Sequence, residues 1–215
     1  FCGSASLLGS RHCDEVYVGK RVAYLDCYSG ASGDMLLGAL IHAGLSLAEL
    51  KADLALLDLS GYELTAEPQV RRGVSGIQFD VVDLAGERPA RNLGVVQALI
   101  TESALPEDVK DRGLAVFTRL AEAEARVHGT TVDEIHFHEV GAVDAVVDIV
   151  GFCCAVARLG IEAIYTSALP LGSGMVMTEH GLLPVPAPAT LALLASAGAP
   201  IASSDARGEL VTPTG

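Results

Sequence analysis

The run His136-Phe137-His138-Glu139 holds the densest chemistry in the sequence. In an extended segment, residues two apart point to the same side, so His136 and His138 can reach one ion while Phe137 packs behind them. Glu139 stands at the mouth of an apolar helical run in which Asp144 is followed by Asp148. Four residues take an α-helix about 40° past a full turn, so these two carboxylates share a face. Two imidazoles with carboxylates suit a borderline divalent ion such as nickel or zinc, whereas carboxylates alone lean towards magnesium or manganese. A His-x-His also arises by chance, and a helical Asp is usually solvated. Here, however, the two acids sit among Val143, Ala145, Val146, Val147, Ile149 and Val150. Burying a carboxylate in such company is costly without a cation, a hydrogen-bond donor or an Arg. A metal or charged ligand therefore competes with structural ion pairing.

The second candidate is Asp26-Cys27-Tyr28-Ser29-Gly30-Ala31-Ser32-Gly33-Asp34, a Gly/Ser turn between an apolar strand and a helix start. Such a turn presents backbone N–H groups and hydroxyls to a phosphate. It lacks the Lys of a Walker loop and the spacing of a dinucleotide fingerprint. Asp26 and Asp34 repel a bare phosphate but can hold a bridging cation, so a ligand loop and an ordinary capped turn both stand. His180, beside the proline-rich Pro184-Val185-Pro186-Ala187-Pro188, is either a group held over a site or a surface His. Thr212-Pro213-Thr214-Gly215 offers two hydroxyls as an oxyanion or phosphate contact. His128 reads as a cation at a helix C-terminus. Cys27 is a possible nucleophile or soft ligand with no base in view. Neither G-x-S-x-G nor HExxH occurs, which leaves nucleophilic hydrolysis poorly supported.

Acidic residues outnumber Lys and Arg by 27 to 14, for a net charge of -13. That sign argues against nucleic acid as a partner and suits a protein that attracts cations, although simple solubility explains it too. The five cysteines are odd in number and form no CxxC pair, so they make neither a disulfide framework nor a structural zinc site. Cys153 and Cys154, in an apolar run, read as buried small hydrophobes. A reducing compartment, the cytoplasm, follows. No apolar stretch reaches the roughly 18 residues of a membrane span. Residues 1–21 do not read as a signal peptide and are expected to be a tail outside the domain.

These groups must be positioned by the elements around them. Val22 to Leu25 predicts a buried strand, Met35 to Leu40 a helix, and Leu47 to Leu57 a second helix with Ser46 and Glu49 forming a capping box. Tyr62 to Val70 and Val74 to Leu84 predict a hairpin around Arg71-Arg72-Gly73. Helices follow at Asn92 to Ile100, at Glu107 to His128 between Pro106 and Gly129, at Ala142 to Leu159, and at Pro188 to Ala197. Tyr165 to Leu171 and Met175 to Thr178 read as extended. The expected fold is α/β, a mixed sheet flanked by helices in a single main domain.

The runs YLDCYSGASGDMLLGAL (from Tyr24), HGTTVDEIHFHEVGAVDAVVDIVG (from His128), HGLLPVPAPATLALL (from His180) and ELVTPTG (from Glu209) together resemble the nickel-insertion proteins of the nickel-pincer nucleotide pathway. The resemblance extends from about Val22 to Gly215, in the family's order. It implies delivery of nickel to pyridinium-3,5-bisthiocarboxylic acid mononucleotide, forming one carbon–nickel and two sulfur–nickel bonds in a cofactor that serves lactate racemase. CTP is hydrolysed in that reaction, and Mn2+ or Mg2+ with CTP is expected in a C-terminal half that lies beyond Gly215. That half, and a further copy of the chain, are the expected protein partners. Under this implication His136 and His138 bind nickel. Glu139, Asp144 or Asp148 complete the site or act as base for the ring proton, with Glu139 and Asp144 the first choices as catalytic groups and Asp148 as ligand. Ser29, Gly30, Ser32, Gly33 and Asp34 hold the mononucleotide phosphate. A nickel metallochaperone without catalysis is the competing reading, and a metal-dependent phosphohydrolase a weaker one.

Overall fold

The computed structural model describes residues 19–84, 91–137, 142–178 and 180–215, with His136 described by its backbone alone. The first strand, β1 (Val22–Leu25), leads through the Gly/Ser turn into α1 (Gly33–His42) and then α2 (Leu47–Leu54). α2 stops short of the expected Leu57. The chain tightens there, with Leu56 N–H donating to the Asp53 carbonyl and Leu57 N–H to that of Leu54, and this turns Leu57 into the core. Ser46 takes the N-cap position but makes no side-chain cap hydrogen bond, so the expected capping box does not form.

β2 (Tyr62–Arg71) and β3 (Val74–Asp83) form the expected antiparallel hairpin. Arg72 and Gly73 at its tip have φ of 51° and 84°, the pair of positive values that lets a two-residue turn follow the strands' twist. β4 (Arg91–Asn92) precedes α3 (Leu93–Thr101). Asn92 caps this helix from outside, its side-chain oxygen accepting from Val95 N–H at 2.9 Å. α4 (Glu107–His128) runs from an N-cap at Pro106 to Gly129. Next come β5 (His136–Phe137), α5 (Val143–Arg158), β6 (Ala163–Thr166) and β7 (Leu169–Pro170). β8 (Met175–Thr178), β9 (Gly181–Pro184), α6 (Pro188–Ala197) and β10 (Ile201–Ala202) complete the order.

The fold is α/β with parallel and antiparallel pairing mixed, as expected. Among the described residues the strands fall into two-stranded pairs: β1–β6 and β7–β10 parallel, β2–β3, β4–β5 and β8–β9 antiparallel. The core is organised around a helix. α5 buries residues on nearly every side, including Val143, Val146, Val147, Val150, Cys153 and Ala155, and α1, α2, α4 and β3 pack on it. A helix apolar all round belongs in the middle of a protein. Arg158 at its end pairs with Glu49 and Asp53 of α2. Among the described residues no helix is long and apolar enough to cross a membrane.

β5 enters this core through Phe137. Phe137 is 1% exposed and its ring lies 6.2 Å from that of Phe117 on α4. Phe137→Ala is expected to cost about 3–5 kcal/mol in urea unfolding, the usual toll for emptying a buried aromatic site. A loss under about 1 kcal/mol would mean that β5 is not anchored by this ring.

Candidate functional site

Asp148 is the one charged side chain between Asp144 and Arg158 of α5. It is half-buried, and its Oδ1 is enclosed with no hydrogen-bond partner. The α1 N-terminus presses against it: a Cβ at Gly33 would overlap Cβ, Cγ and Oδ2 of Asp148, so only a glycine admits this contact. Burial, and then the charges of Asp34 and Asp144, push the Asp148 pKa from 3.8 up to about 7. Asp34 and Asp144 are both exposed. The Ser32 hydroxyl donates to Asp34 Oδ1. Asp34, in the first turn of α1, and Asp144, at the start of α5, thus both penalise an ionised Asp148.

The Gly/Ser turn is held by the far end of the chain. Gly30 has φ of 110°, and a Cβ on it would overlap the Leu210 carbonyl oxygen. Gly30 N–H donates to the Cys27 carbonyl at 2.8 Å, and Ala31 N–H to that of Leu210 at 2.8 Å. Thr212 N–H donates to the Ala31 carbonyl at 3.0 Å, and the Thr212 and Thr214 hydroxyls lie 3.1 Å apart. Two motifs read separately in the sequence are therefore one structure. The Gly30 and Ala31 amides are engaged within the fold and the Ser32 hydroxyl is committed to Asp34, so an anion at this turn would draw on the first-turn amides of α1 and on the hydroxyl of Ser29.

A crevice of about 640 Å³ opens at the carboxyl ends of β1 and β6, lined by Asp26, Tyr28, Ser29, Ser167, Ser203 and Ser204 among others. Crevices at that end of parallel strands are the usual ligand sites of α/β folds. Cys27 N–H donates to Ser167 Oγ at 2.9 Å and joins the two strand ends. Burial first, and Asp26 second, raise the Cys27 thiol pKa, so it stays protonated and is a poor nucleophile or thiolate ligand. Cys153 and Cys154 are buried, with pKa values pushed up to about 11 and about 12 mainly by burial, in keeping with core thiols.

β5 pairs with β4, His136 opposite Asn92, and sets the His136–Glu139 run directly ahead of α5. His138 and Glu139 lie outside the described residues. Among the described residues no group of three or more His, Cys, Asp or Glu side chains is arranged to hold a metal ion. Two features escaped the sequence. Arg71, on the hairpin, lines a groove of about 350 Å³ together with Asp34. His128 and His180 meet with ring centroids 4.8 Å apart, although no local spacing relates them.

The nickel insertion protein family matches residues 23–215. The chain belongs to that family. It is 55% identical over 195 residues to the pyridinium-3,5-bisthiocarboxylic acid mononucleotide nickel insertion protein of Desulfitobacterium hafniense (strain DSM 10664 / DCB-2), covering 91% of this chain and 48% of the relative. The protein of the same name from strain Y51 is 54% identical over the same shares. A relative from Thermomicrobium roseum is 56% identical over 196 residues, again 91% of this chain and 48% of its own. The chain thus spans about half the length of the curated relatives it matches. No solved structure matches it.

The raised Asp148 pKa makes stability depend on pH. The unfolded chain releases this proton near pH 3.8, whereas the folded chain keeps it to about pH 7. The folded state therefore binds more protons in that interval, so stability falls as pH rises through it and the penalty is complete above it. Asp148→Asn should remove a slope on the order of a few kcal/mol. Calorimetric melting at about pH 5 and about pH 8 checks this: the variant should lose less between the two than the wild type. Equal losses would refute the assignment.

Proposed function

We propose that this chain binds pyridinium-3,5-bisthiocarboxylic acid mononucleotide and directs nickel into it, as one part of nickel-pincer cofactor biosynthesis. Membership of the nickel insertion family and the names of the two Desulfitobacterium relatives support the reaction class. The observation that carries the reading is Asp148, a carboxyl closed over by Gly33 with its Oδ1 enclosed and unpartnered, so that burial pushes its pKa up to about 7.

Forming the carbon–nickel bond releases the ring hydrogen as a proton, and a base must take it. A carboxyl poised near neutrality is ionised often enough to accept that proton and protonated often enough to pass it on. Asp148 fills this role better than the exposed Asp144, which adds negative charge beside it. Nickel enters as substrate, held by His136 and His138 with Glu139, and the two thiocarboxylate sulfurs complete a soft ligand set. Ser29 lines the crevice while Gly33 abuts Asp148. A mononucleotide laid along this turn would put its phosphate among the serine hydroxyls and its cationic ring towards the carboxylates. Hydrolysis of CTP with Mn2+ or Mg2+ belongs, in this reading, to a partner half. The reaction is a lyase-type step of lactate racemase maturation in the cytoplasm, where the free thiols of Cys27, Cys153 and Cys154 are stable. Self-association belongs to the reading as well. Val22, Tyr24, Ile164 and Tyr165 are exposed on the β1–β6 pair, and parallel strands are ordinarily covered on both faces.

Mass spectrometry of the mononucleotide after incubation with the chain, a relative's C-terminal half, Ni2+ and CTP tests this. The product should gain one nickel, and Asp148→Asn should slow that gain by about 100-fold or more while mononucleotide binding persists. Wild-type rates in the variant would contradict the proposal.

A further inference from the structure

We infer that His128 and His180 form a nickel-loading site separate from the carboxylates around Asp148. The inference rests on the reading that this chain handles nickel. His128 is the last residue of α4, and His180 lies between β8 and β9. Their ring centroids are 4.8 Å apart and their planes are inclined at 58°, which is not a parallel stack. Metal–nitrogen bonds of about 2.0–2.1 Å, added to a ring half-width of about 1.1 Å, put the centroids of two imidazoles on one ion about 4.4–5.2 Å apart for bond angles from 90° to tetrahedral. The observed pair already has that separation.

The surroundings fit a loosely held ion. The two histidines open on a cavity of about 260 Å³ with apolar walls that include Val127, Leu183, Pro188 and Pro213. Such walls limit competing water. Glu124, one turn before His128, brings Oε2 to 3.5 Å from His128 Nε2 with its side chain only 17% exposed. A carboxylate in that position can orient a ligating imidazole. Two imidazoles by themselves leave coordination positions of the ion to other donors. An ion that must be surrendered to sulfur and carbon donors needs such positions, and a closed four-ligand site would retain it. The route onward is short. Pro213 walls this cavity, while its neighbour Thr212 donates to Ala31 of the Gly/Ser turn. One segment of chain thus separates the loading site from the turn that abuts Asp148.

Isothermal titration of the chain with Ni2+ alone, without mononucleotide, tests the site independently of insertion chemistry. His128→Gln/His180→Gln should weaken nickel binding at least 10-fold, with an unchanged melting temperature in chelator. The single His180→Gln, on an exposed residue, should also weaken it measurably without touching α4. Paramagnetic Ni2+ should broaden the ring-proton NMR signals of His128 and His180 at the first additions, and still do so in His136→Gln/His138→Gln. Wild-type affinity and stoichiometry in both the double and the single variant, or broadening that spares these two rings, would overturn the inference. Failure of the mass-spectrometric insertion assay would leave these readings unaffected, so the two proposals fail separately.

Discussion

The contact between Gly33 and Asp148 is the constraint on which the rest of the structure depends. A carboxylate on the central helix is closed over by the backbone of the α1 N-terminus, and no side chain at residue 33 would permit it. The helix has to be buried to serve as the core, and that encloses the carboxyl of Asp148 with it. Leaving Oδ1 without a partner is an expense the fold tolerates elsewhere only at the Thr190 hydroxyl, among the described residues. A pKa near neutrality is the direct consequence, because desolvation and two neighbouring acids all penalise the charged form. A cation placed among Asp34, Asp144 and Asp148 would reverse each of these penalties.

The remaining elements can be understood as what keeps that contact in place. The Gly/Ser turn cannot drift, because Ala31 is hydrogen-bonded on both sides to the Leu210–Thr212 segment. β1 and β6 fix the other end of the same turn through Cys27 and Ser167. β5 anchors Phe137 in the core, and α5 begins six residues later at Val143. Binding elements on short loops, positioned by a rigid helical core, are the common division of labour in such folds.

Much of this was legible in the sequence wherever the signal was local. The hairpin around Arg72-Gly73, the long α4 between Pro106 and Gly129, and the apolar α5 with its out-of-place Asp148 each follow from periodicity, turn chemistry or the cost of a buried charge. The family was legible for a different reason: four motifs in a fixed order. What the sequence withheld was long-range. Nothing local states that Thr212 will close on Ala31, that Gly33 will meet Asp148, or that His128 and His180 will share a cavity. The capping box at Ser46 failed because the cap's side chain is only one way to satisfy a helix start, and α2 is fixed by Leu50, Leu54 and Leu57 in the core. The reach of the strands was also hard to foresee, since pairing into separate two-stranded units depends on the helix between them.

The central claim is that Asp148 is a proton-accepting carboxyl poised by its enclosure against α1. The most direct measurement is the carbon-13 NMR titration of its side-chain carboxyl. The account predicts a midpoint of about 7 in the metal-free chain. A midpoint near 3.8, the ordinary value for an aspartate, would contradict it.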